Sequence, residues 1–148
     1  MSRYAKNTSV PISRSKAEIE ETLLRYGIEE FGMGVSSRGV GIIFKNEGKV
    51  YKINVPEPER SDDMTDTQYK QLCRQRWRVK LLSIKAKLEE IETGLESFED
   101  QFLAKMALPN GNTVGDFMRL PEKCKPLITN ENAQTFNRVK RAGWVYRG

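Results

Sequence analysis

The segment from residue 77 to residue 102, WRVKLLSIKAKLEEIETGLESFEDQF, decides how the rest of the chain can be arranged. Its apolar residues recur at alternating spacings of four and three, which is the a/d pattern of an amphipathic helix. The stripe comprises Trp77, Leu81, Ile84, Leu88, Ile91, Leu95, Phe98 and Phe102. Between residues 67 and 107 only Gly94 interrupts good helix formers, so we predict one long heptad-patterned helix, or a helical hairpin that turns at Gly94.

The sequence is compatible with three uses of this apolar stripe. A continuous helix of about 40 residues would measure roughly 60 Å, which exceeds the width of a globule of this size, so the helix either projects or folds back. The stripe can pack inside its own chain, pair with a second copy, or pair with another protein. In a homodimer, the oligomer seam would consist of Leu81, Ile84, Leu88, Ile91, Leu95, Phe98 and Phe102.

A shorter helix is predicted near the N-terminus. Ser15 and Glu18 have the spacing of a capping box, in which the serine oxygen accepts a hydrogen bond from the N–H three residues on. Apolar residues then follow at helical spacing as far as Tyr26, and Gly27 is a typical helix stop. The sequence therefore predicts a helix that begins at Ser15 and ends before Gly27.

A small antiparallel sheet is predicted after this helix. Residues 31–36 contain two glycines and indicate a weak edge strand, whereas residues 40–45 and 49–55 are rich in β-branched and aromatic residues. The sequence Asn-Glu-Gly at 46–48 predicts a tight turn between the two better strands. We expect the N-terminal helix to pack across this sheet, because an isolated hairpin is at best marginally stable in water.

The fold class predicted is therefore α+β, in four consecutive parts. Residues 1–58 form an α+β N-terminal unit, 59–66 a polar hinge, 67–107 the long amphipathic helix, and 108–148 an irregular and helical C-terminal segment. Four residues have side chains suited to helix N-caps in the second half of the chain: Asp63, Thr65 or Asp66 for the long helix, and Thr113 for a short one over residues 114–120. A last short helix is expected at residues 131–141.

The composition excludes several classes of function. The 148 residues include no histidine, which excludes Ser-His-Asp and Cys-His catalysis and removes the commonest zinc ligand. The two cysteines, Cys73 and Cys124, are far apart and are not in a C-x-x-C pair, so we expect them to be reduced. We therefore predict a non-enzymatic protein with no cofactor and no metal site.

No segment of the sequence has the features of a membrane span or a secretion signal. A transmembrane helix needs about 20 consecutive apolar residues, and the chain has no such run. The first residues, MSRYAK, lack the apolar core of a signal peptide. The expected location is cytoplasmic, without contact with a membrane.

The charges on the predicted long helix are completely segregated. Residues 70–87 carry only basic side chains, and residues 88–100 carry only acidic ones. The helix dipole favours the opposite order, so something outside the helix is expected to compensate. Two candidates are an antiparallel second copy, which would bring basic and acidic halves together, and a polyanion bound to the basic half.

The basic half is also the strongest candidate for a nucleic-acid site. Arginines and lysines neutralise phosphates, and an aromatic ring between them can stack on an unpaired base. The net charge of +5 is consistent with a polyanionic partner. Trp77 and Trp144 each have an alternative role, as a core residue and as an anchor for a docked tail. The candidate nucleic-acid-binding residues are Arg74, Arg76, Trp77, Arg78, Lys80, Lys85, Lys87, Arg138, Lys140, Arg141 and Trp144, and the N-terminal arm adds Arg3, Tyr4, Lys6 and Arg14.

Several blocks of residues 4–118 together resemble a family of small, uncharacterised proteins encoded by tailed bacteriophages and prophages. The blocks are Tyr4-Ala5, the segment from Arg14 to Gly27, CRQRWR at 73–78, IKAKLE at 84–89 and LPNG at 108–111 followed by Thr113-Val114-Gly115. The resemblance implies a phage gene product that acts in the cytoplasm of a bacterial host. It implies no chemistry and assigns no functional residue.

Two functions are therefore expected. The first is an accessory protein of a phage that binds nucleic acid through phosphate contacts as a homodimer, with single- or double-strand preference undetermined. The alternative is a protein-interaction or assembly module whose basic half binds an acidic host or phage protein.

Overall fold

The computed structural model describes residues 3–123, 138–139 and 141–143. It confirms the predicted α+β fold, with a three-stranded antiparallel sheet, an N-terminal helix and a long helix. The elements in chain order are α1 (Ile12–Arg25), β1 (Glu30–Ser36), β2 (Gly39–Asn46), β3 (Lys49–Val55), α2 (Asp66–Glu92), α3 (Phe98–Phe102), a 3₁₀ turn (Leu103–Lys105) and α4 (Val114–Met118). The helix predicted at 131–141 lies mostly outside the described residues.

The sheet has the simplest possible order, β1-β2-β3, with β2 in the centre. Both hairpins keep an unbroken antiparallel register, in which Ile42 of β2 faces Met33 on one side and Ile53 on the other. The predicted turn at 46–48 is present, with φ of 49° at Glu47 and 77° at Gly48. Alternate residues of β2 and β3 are buried, so one face of the sheet forms a wall of the core.

The prediction that Ser15 caps α1 is wrong. The helix begins three residues earlier, after Pro11, whose φ of −62° and extended ψ suit the residue before a helix. The earlier start brings Ile12 against the core and leaves Ser15 fully buried inside the helix. Glu18 is consequently not a capping residue, and its carboxylate accepts hydrogen bonds from Arg14 and Arg78 instead. The helix ends before Gly27, as predicted.

The long helix begins at the predicted hinge and ends earlier than residue 107. Among the three predicted caps, Thr65 fills the N-cap position and forms a reciprocal capping box with Gln68. The helix ends at Glu92, and Gly94 has a φ of 78°, in the left-handed region that ends helices. Of the two predicted arrangements, the chain adopts the one that turns at Gly94 and folds back.

The reversed chain places two phenylalanines on the sheet. The ring of Phe102 lies 5.4 Å from that of Phe44 and Phe98 lies 5.1 Å from Tyr51, both in edge-to-face geometry. Phe44 and Tyr51 themselves stack at 5.5 Å. Such contacts each stabilise a core by about 0.5–1.5 kcal/mol beyond the burial of area. We call these four residues the aromatic cluster.

The apolar stripe is therefore mainly core of a single chain. Leu81, Ile84, Leu88 and Phe102 are each at most 2% exposed, and Ile91 and Phe98 pack at the edge of the same core. Leu95 lies at the turn and is 77% exposed. Of the three uses predicted for the stripe, packing within the chain is the one observed, and residues buried in this way are not free to form a seam with a second copy.

The two edges of the sheet differ in how they are covered. Beyond the 3₁₀ turn, Ala107 donates a backbone hydrogen bond of 2.7 Å to Val50, so the chain lies along the outer edge of β3. The turn at 108–112 follows, and Thr113 then caps α4 in a capping box with Asp116, as predicted for Thr113. No residue of the described part of the chain pairs with the outer edge of β1.

The turn at Gly94 can be tested by substitution. We expect Gly94→Ala to lower the free energy of unfolding by about 1 kcal/mol, because an L-residue with a side chain is strained at positive φ. No atom lies within 4 Å of an added Cβ, so the cost comes from the backbone alone. Urea denaturation measures the effect. Gly94→Asn is the matched control, since asparagine tolerates this region and should lose clearly less stability; equal losses would contradict the backbone explanation.

Candidate anion-binding site

The structure distributes the predicted basic residues of α2 around the helix, and they do not form one surface. Trp77, at the centre of the predicted site, is 5% exposed and belongs to the core. Lys16 of α1 lies over its indole ring at 4.9 Å, which covers one face. The prediction that Trp77 stacks on a base is therefore wrong for this fold, because neither face of a buried ring is accessible to a base.

Arg78 has a structural role. Its Nη1 atom lies 3.0 Å from Oε2 of Glu18, and both side chains are largely buried between α1 and α2. Arg14 reaches the other oxygen of the same carboxylate at 3.3 Å. Burial raises the pKa of Glu18, but the hydrogen bonds from Arg14 and Arg78 outweigh it and hold the pKa below its usual range. Lys85, which also acts electrostatically on Glu18, lies on this side of α2.

The other two arginines of α2 are held by neutral oxygens. Arg74 donates to Oε1 of Gln71 one turn away, at 3.2 Å from its Nε atom. Arg76 is exposed and donates to the backbone carbonyl of Pro56 at 3.0 Å. Because a carbonyl does not neutralise the guanidinium, both arginines keep a full charge that is available to an anion.

Three lysines come together on the side of α2 that faces the end of the folded-back chain. Lys80 and Lys87 are two turns apart on one helical face, and Lys105 is the last residue of the 3₁₀ turn. All three are half-buried, and Lys87 lies over the ring of Phe102 at 5.4 Å. No carboxylate of residues 3–123 forms an ion pair with any of them. We call these residues the lysine cluster.

The electrostatics of Lys80 reflect this arrangement. Burial lowers the pKa of its ammonium group, and the positive charges of Lys105 and Lys87 lower it further. A partly desolvated charge next to two like charges destabilises the fold, because no carboxylate of residues 3–123 pairs with it. Such an arrangement is typical of a site that is completed by a bound anion.

The lysine cluster continues into a cleft of about 820 Å³ between α2 and the hinge. Arg76, Lys80 and Ser83 form its α2 wall, and Glu57 and Glu59 lie on the opposite wall. A second cleft of about 760 Å³ lies further along α2 under the N-terminal arm and includes Arg3 and Lys6 of the predicted arm cluster. The basic surface is thus a band along α2 that is bordered by two glutamates.

The N-terminal arm is held on α2 by side-chain amides. Gln71 donates to the backbone carbonyls of Lys6 at 3.0 Å and Thr8 at 2.8 Å, and Gln75 donates to that of Tyr4 at 2.8 Å. These bonds place the basic residues of the arm beside α2. Nothing in the sequence pattern indicated that the arm would dock there, because a glutamine on a helix is usually solvated.

The C-terminal group of predicted residues is only partly described. Arg138 and Arg141 lie in a short helical stretch and are exposed. Lys140 and Trp144 lie outside the described residues. The structure therefore brings together Lys80, Lys87 and, through the cleft, Arg76, and it adds Lys105, which sequence reasoning missed. Lys105 lies beyond the turn at Gly94, so only the reversal of the chain could identify it.

The acidic half of the predicted helix finds partners inside the chain. Glu89 accepts a hydrogen bond of 2.6 Å from the hydroxyl of Tyr26, which raises the pKa of that tyrosine. Glu99 lies 3.0 Å from the ammonium of Lys49, and this hydrogen bond raises the pKa of Lys49. Glu18 beside Arg78 is a third such contact. Partners from α1 and β3 thus supply part of the compensation that the segregated charges of the predicted long helix were expected to need.

Within the described ranges, no group of three or more cysteine, aspartate or glutamate side chains is arranged to hold a metal ion. None of the helices described is both long and apolar enough to cross a membrane.

The ion pair of Glu18 predicts a specific pH dependence. Because its folded-state pKa is lowered, Glu18 stabilises the fold above its usual pKa, and this contribution disappears as the pH falls through the lowered value. We expect Glu18→Gln to be less stable at neutral pH, and to lose less stability than the unchanged protein between neutral and acid pH. Urea denaturation at several pH values measures this. The control is Glu20→Gln, an exposed position on α1; equal slopes for the two variants would contradict the role of Glu18.

No family model, curated protein or solved structure matches this chain.

Proposed function

We propose that this protein binds nucleic acid through phosphate groups at the lysine cluster, with little sequence specificity and without catalysis. The observation that carries the proposal is the presence of three half-buried lysines that lack a carboxylate partner among residues 3–123. The lowered pKa of Lys80 supports it, because a bound phosphate would compensate the charge that burial, Lys105 and Lys87 disfavour. Arg76, on the same wall of the cleft as Lys80, extends this positive surface.

The dimensions of the basic band suit a phosphate backbone. Arg76 and Lys87 are 11 residues apart on one helix, which corresponds to about 16 Å. One strand of duplex DNA carries about five phosphates over that distance. Lysines act as point charges with rotatable donors and so tolerate different phosphate positions, which favours binding without a fixed register.

The same geometry argues against readout of bases. Trp77 is buried, and among the α2 arginines Arg78 is committed to Glu18. Reading a base edge requires bidentate donors or an accessible ring, and the lysine cluster supplies neither. Specificity for a sequence is therefore not part of the proposal.

A second candidate is an assembly module that binds an acidic protein from a phage or its host. Glu57 and Glu59 border the cleft and would repel a continuous polyanion more than they would repel an isolated carboxylate. The resemblance to phage-encoded proteins fits both candidates and supplies the proposed cellular setting. The two candidates differ in what they predict for oligonucleotides.

The salt dependence of oligonucleotide binding tests the first candidate. We expect labelled oligonucleotides to bind with an affinity whose logarithm falls linearly with log[salt], with a slope of about −2.7 to −3.6 for double strands and about −2.1 to −2.8 for single strands. That slope corresponds to three or four phosphates neutralised by the lysine cluster and Arg76. Fluorescence anisotropy over a salt series measures it. The absence of binding at low salt would reject nucleic acid and leave the acidic protein as the candidate.

Lys80 provides a test in which binding and stability change in opposite directions. We expect Lys80→Met to bind oligonucleotides more weakly, with a salt slope reduced by roughly 1, and to be more stable by about 1 kcal/mol. The gain arises because methionine fills the same space without a desolvated charge beside Lys87 and Lys105. Lys70→Met is the matched control, since Lys70 is exposed on α2 and near Asp66. A control that behaves like Lys80→Met would show that net charge alone is responsible.

A further inference from the structure

Within residues 3–123, the outer edge of β1 is unpaired along its whole length. The sheet order places β1 at one side, and the opposite edge, on β3, is covered by the segment at residues 106–107. Within residues 3–123, no backbone hydrogen bond reaches the seven residues of β1 from outside the sheet. Alternate residues of an edge strand direct their N–H and C=O groups outward, where they can pair with another strand.

Apart from the charge of Glu30 at its first residue, the strand has few of the features that usually prevent such pairing. Its sequence, EFGMGVS, contains no lysine and no proline, and its register with β2 runs without a bulge from Glu30 to Ser36. Val35 is 89% exposed, the largest exposed fraction of any large apolar residue described. An unprotected edge with an exposed apolar side chain is typical of a strand that is covered in its functional state.

We propose that β1 pairs with β1 of a second copy of this chain, antiparallel about a two-fold axis through Met33. The two three-stranded sheets would then form one sheet of six strands. In this register Phe31 lies opposite Val35, Gly32 opposite Gly34, Glu30 opposite Ser36, and Met33 opposite its own counterpart. An isologous contact requires such self-complementarity, because the same surface serves both partners.

The side chains of β1 suit this register on both faces of the sheet. Phe31 and Met33 already pack at the edge of the core, and they share their face with Val35. Pairing places Phe31 of one copy beside Val35 of the other at each end, an aromatic–β-branched pair of the kind that stabilises sheets. On the other face, Gly32 and Gly34 of the two copies lie opposite each other and carry no side chain, so they add no bulk where the strands meet.

The charges near the strand favour the antiparallel direction. Glu29 and Glu30 lie at its beginning, and Arg38 lies in the turn after its end. Antiparallel pairing brings the acidic end of each copy to the basic end of the other, whereas parallel pairing would place like charges together. The existing partners of these groups, Lys45 for Glu30 at 3.4 Å and Asp116 for Arg38 at 3.6 Å, are exposed ion pairs that screen the charges only in part.

This inference does not depend on the lysine cluster. Phosphate binding weakens steeply with salt, whereas strand pairing between two copies of a protein with a net charge of +5 should persist or strengthen. A measurement of self-association without nucleic acid therefore separates the failure of one proposal from the failure of the other.

Cysteine cross-linking tests the register. At the two-fold axis the Cα atoms of opposite residues are about 4.5–5.5 Å apart, so Met33→Cys should form an intermolecular disulfide on mild oxidation. Val35→Cys is the matched control, because the two cysteines would be offset by four residues, about 13 Å, beyond the reach of a disulfide. The unchanged protein, which contains Cys73 and Cys124, measures how much intermolecular disulfide forms without the introduced cysteine. Equal linking of the two variants, or none in either, would overturn the register.

Sedimentation velocity over a concentration series tests the interface itself. We expect the unchanged protein to dimerise, and Val35→Lys to weaken dimerisation at least about tenfold, because the ammonium would be desolvated against Phe31. Leu24→Lys makes the same charge change at an exposed apolar position of α1 and should dimerise like the unchanged protein. A monomer at all concentrations, or a dimer insensitive to Val35→Lys, would overturn the proposal; a monomer would leave the edge open to a strand from a different protein.

Discussion

The packing of Phe98 and Phe102 against Phe44 and Tyr51 is the contact on which the rest of the arrangement depends. It joins the end of the folded-back chain to the sheet, and it is made possible by the left-handed backbone at Gly94. Without the reversal, the aromatic residues of the stripe would be exposed on a projecting helix. With it, they complete the core that Trp77, Leu81 and Ile84 begin. This arrangement is favourable because packing against the sheet removes apolar area from water.

Two other features of the molecule follow from the same contact. The 3₁₀ turn after α3 brings Lys105 close enough to interact with Lys80, so the lysine cluster exists only in the folded-back chain. The residues that follow then lie along β3 and cover one edge of the sheet. The other edge, on β1, is paired with no residue of 3–123. The aromatic cluster thus determines both the proposed anion site and the proposed pairing surface.

The lysine cluster also shows a conflict between stability and binding. Several other charges have a counter-charge close by, since Glu18 lies between Arg14 and Arg78 and Glu99 lies beside Lys49. The half-buried ammonium of Lys80 has two like charges near it and no carboxylate partner in residues 3–123. A fold selected only for stability would place an apolar residue at this position. The retained charge is consistent with a role in binding, since functional groups are commonly held in environments that destabilise them.

Local sequence signals specify the helices, strands and turns of this protein, whereas long-range contacts specify what each of them packs against. Local sequence patterns identified three strands, a start of α2 at Asp63, Thr65 or Asp66, the turn at 46–48 and the short helix capped by Thr113, because these depend on nearest neighbours along the chain. Periodicity gave the wrong cap for α1, since the burial of Ile12 and Ser15 outweighs the capping preference of a serine. Periodicity also left three uses of the heptad stripe open, because a stripe specifies which side chains are buried and does not specify the surface that covers them. Contacts between residues far apart in sequence set the surface that covers the stripe, the burial of Trp77 and the inclusion of Lys105 in the lysine cluster. These features are therefore fixed only in the folded chain.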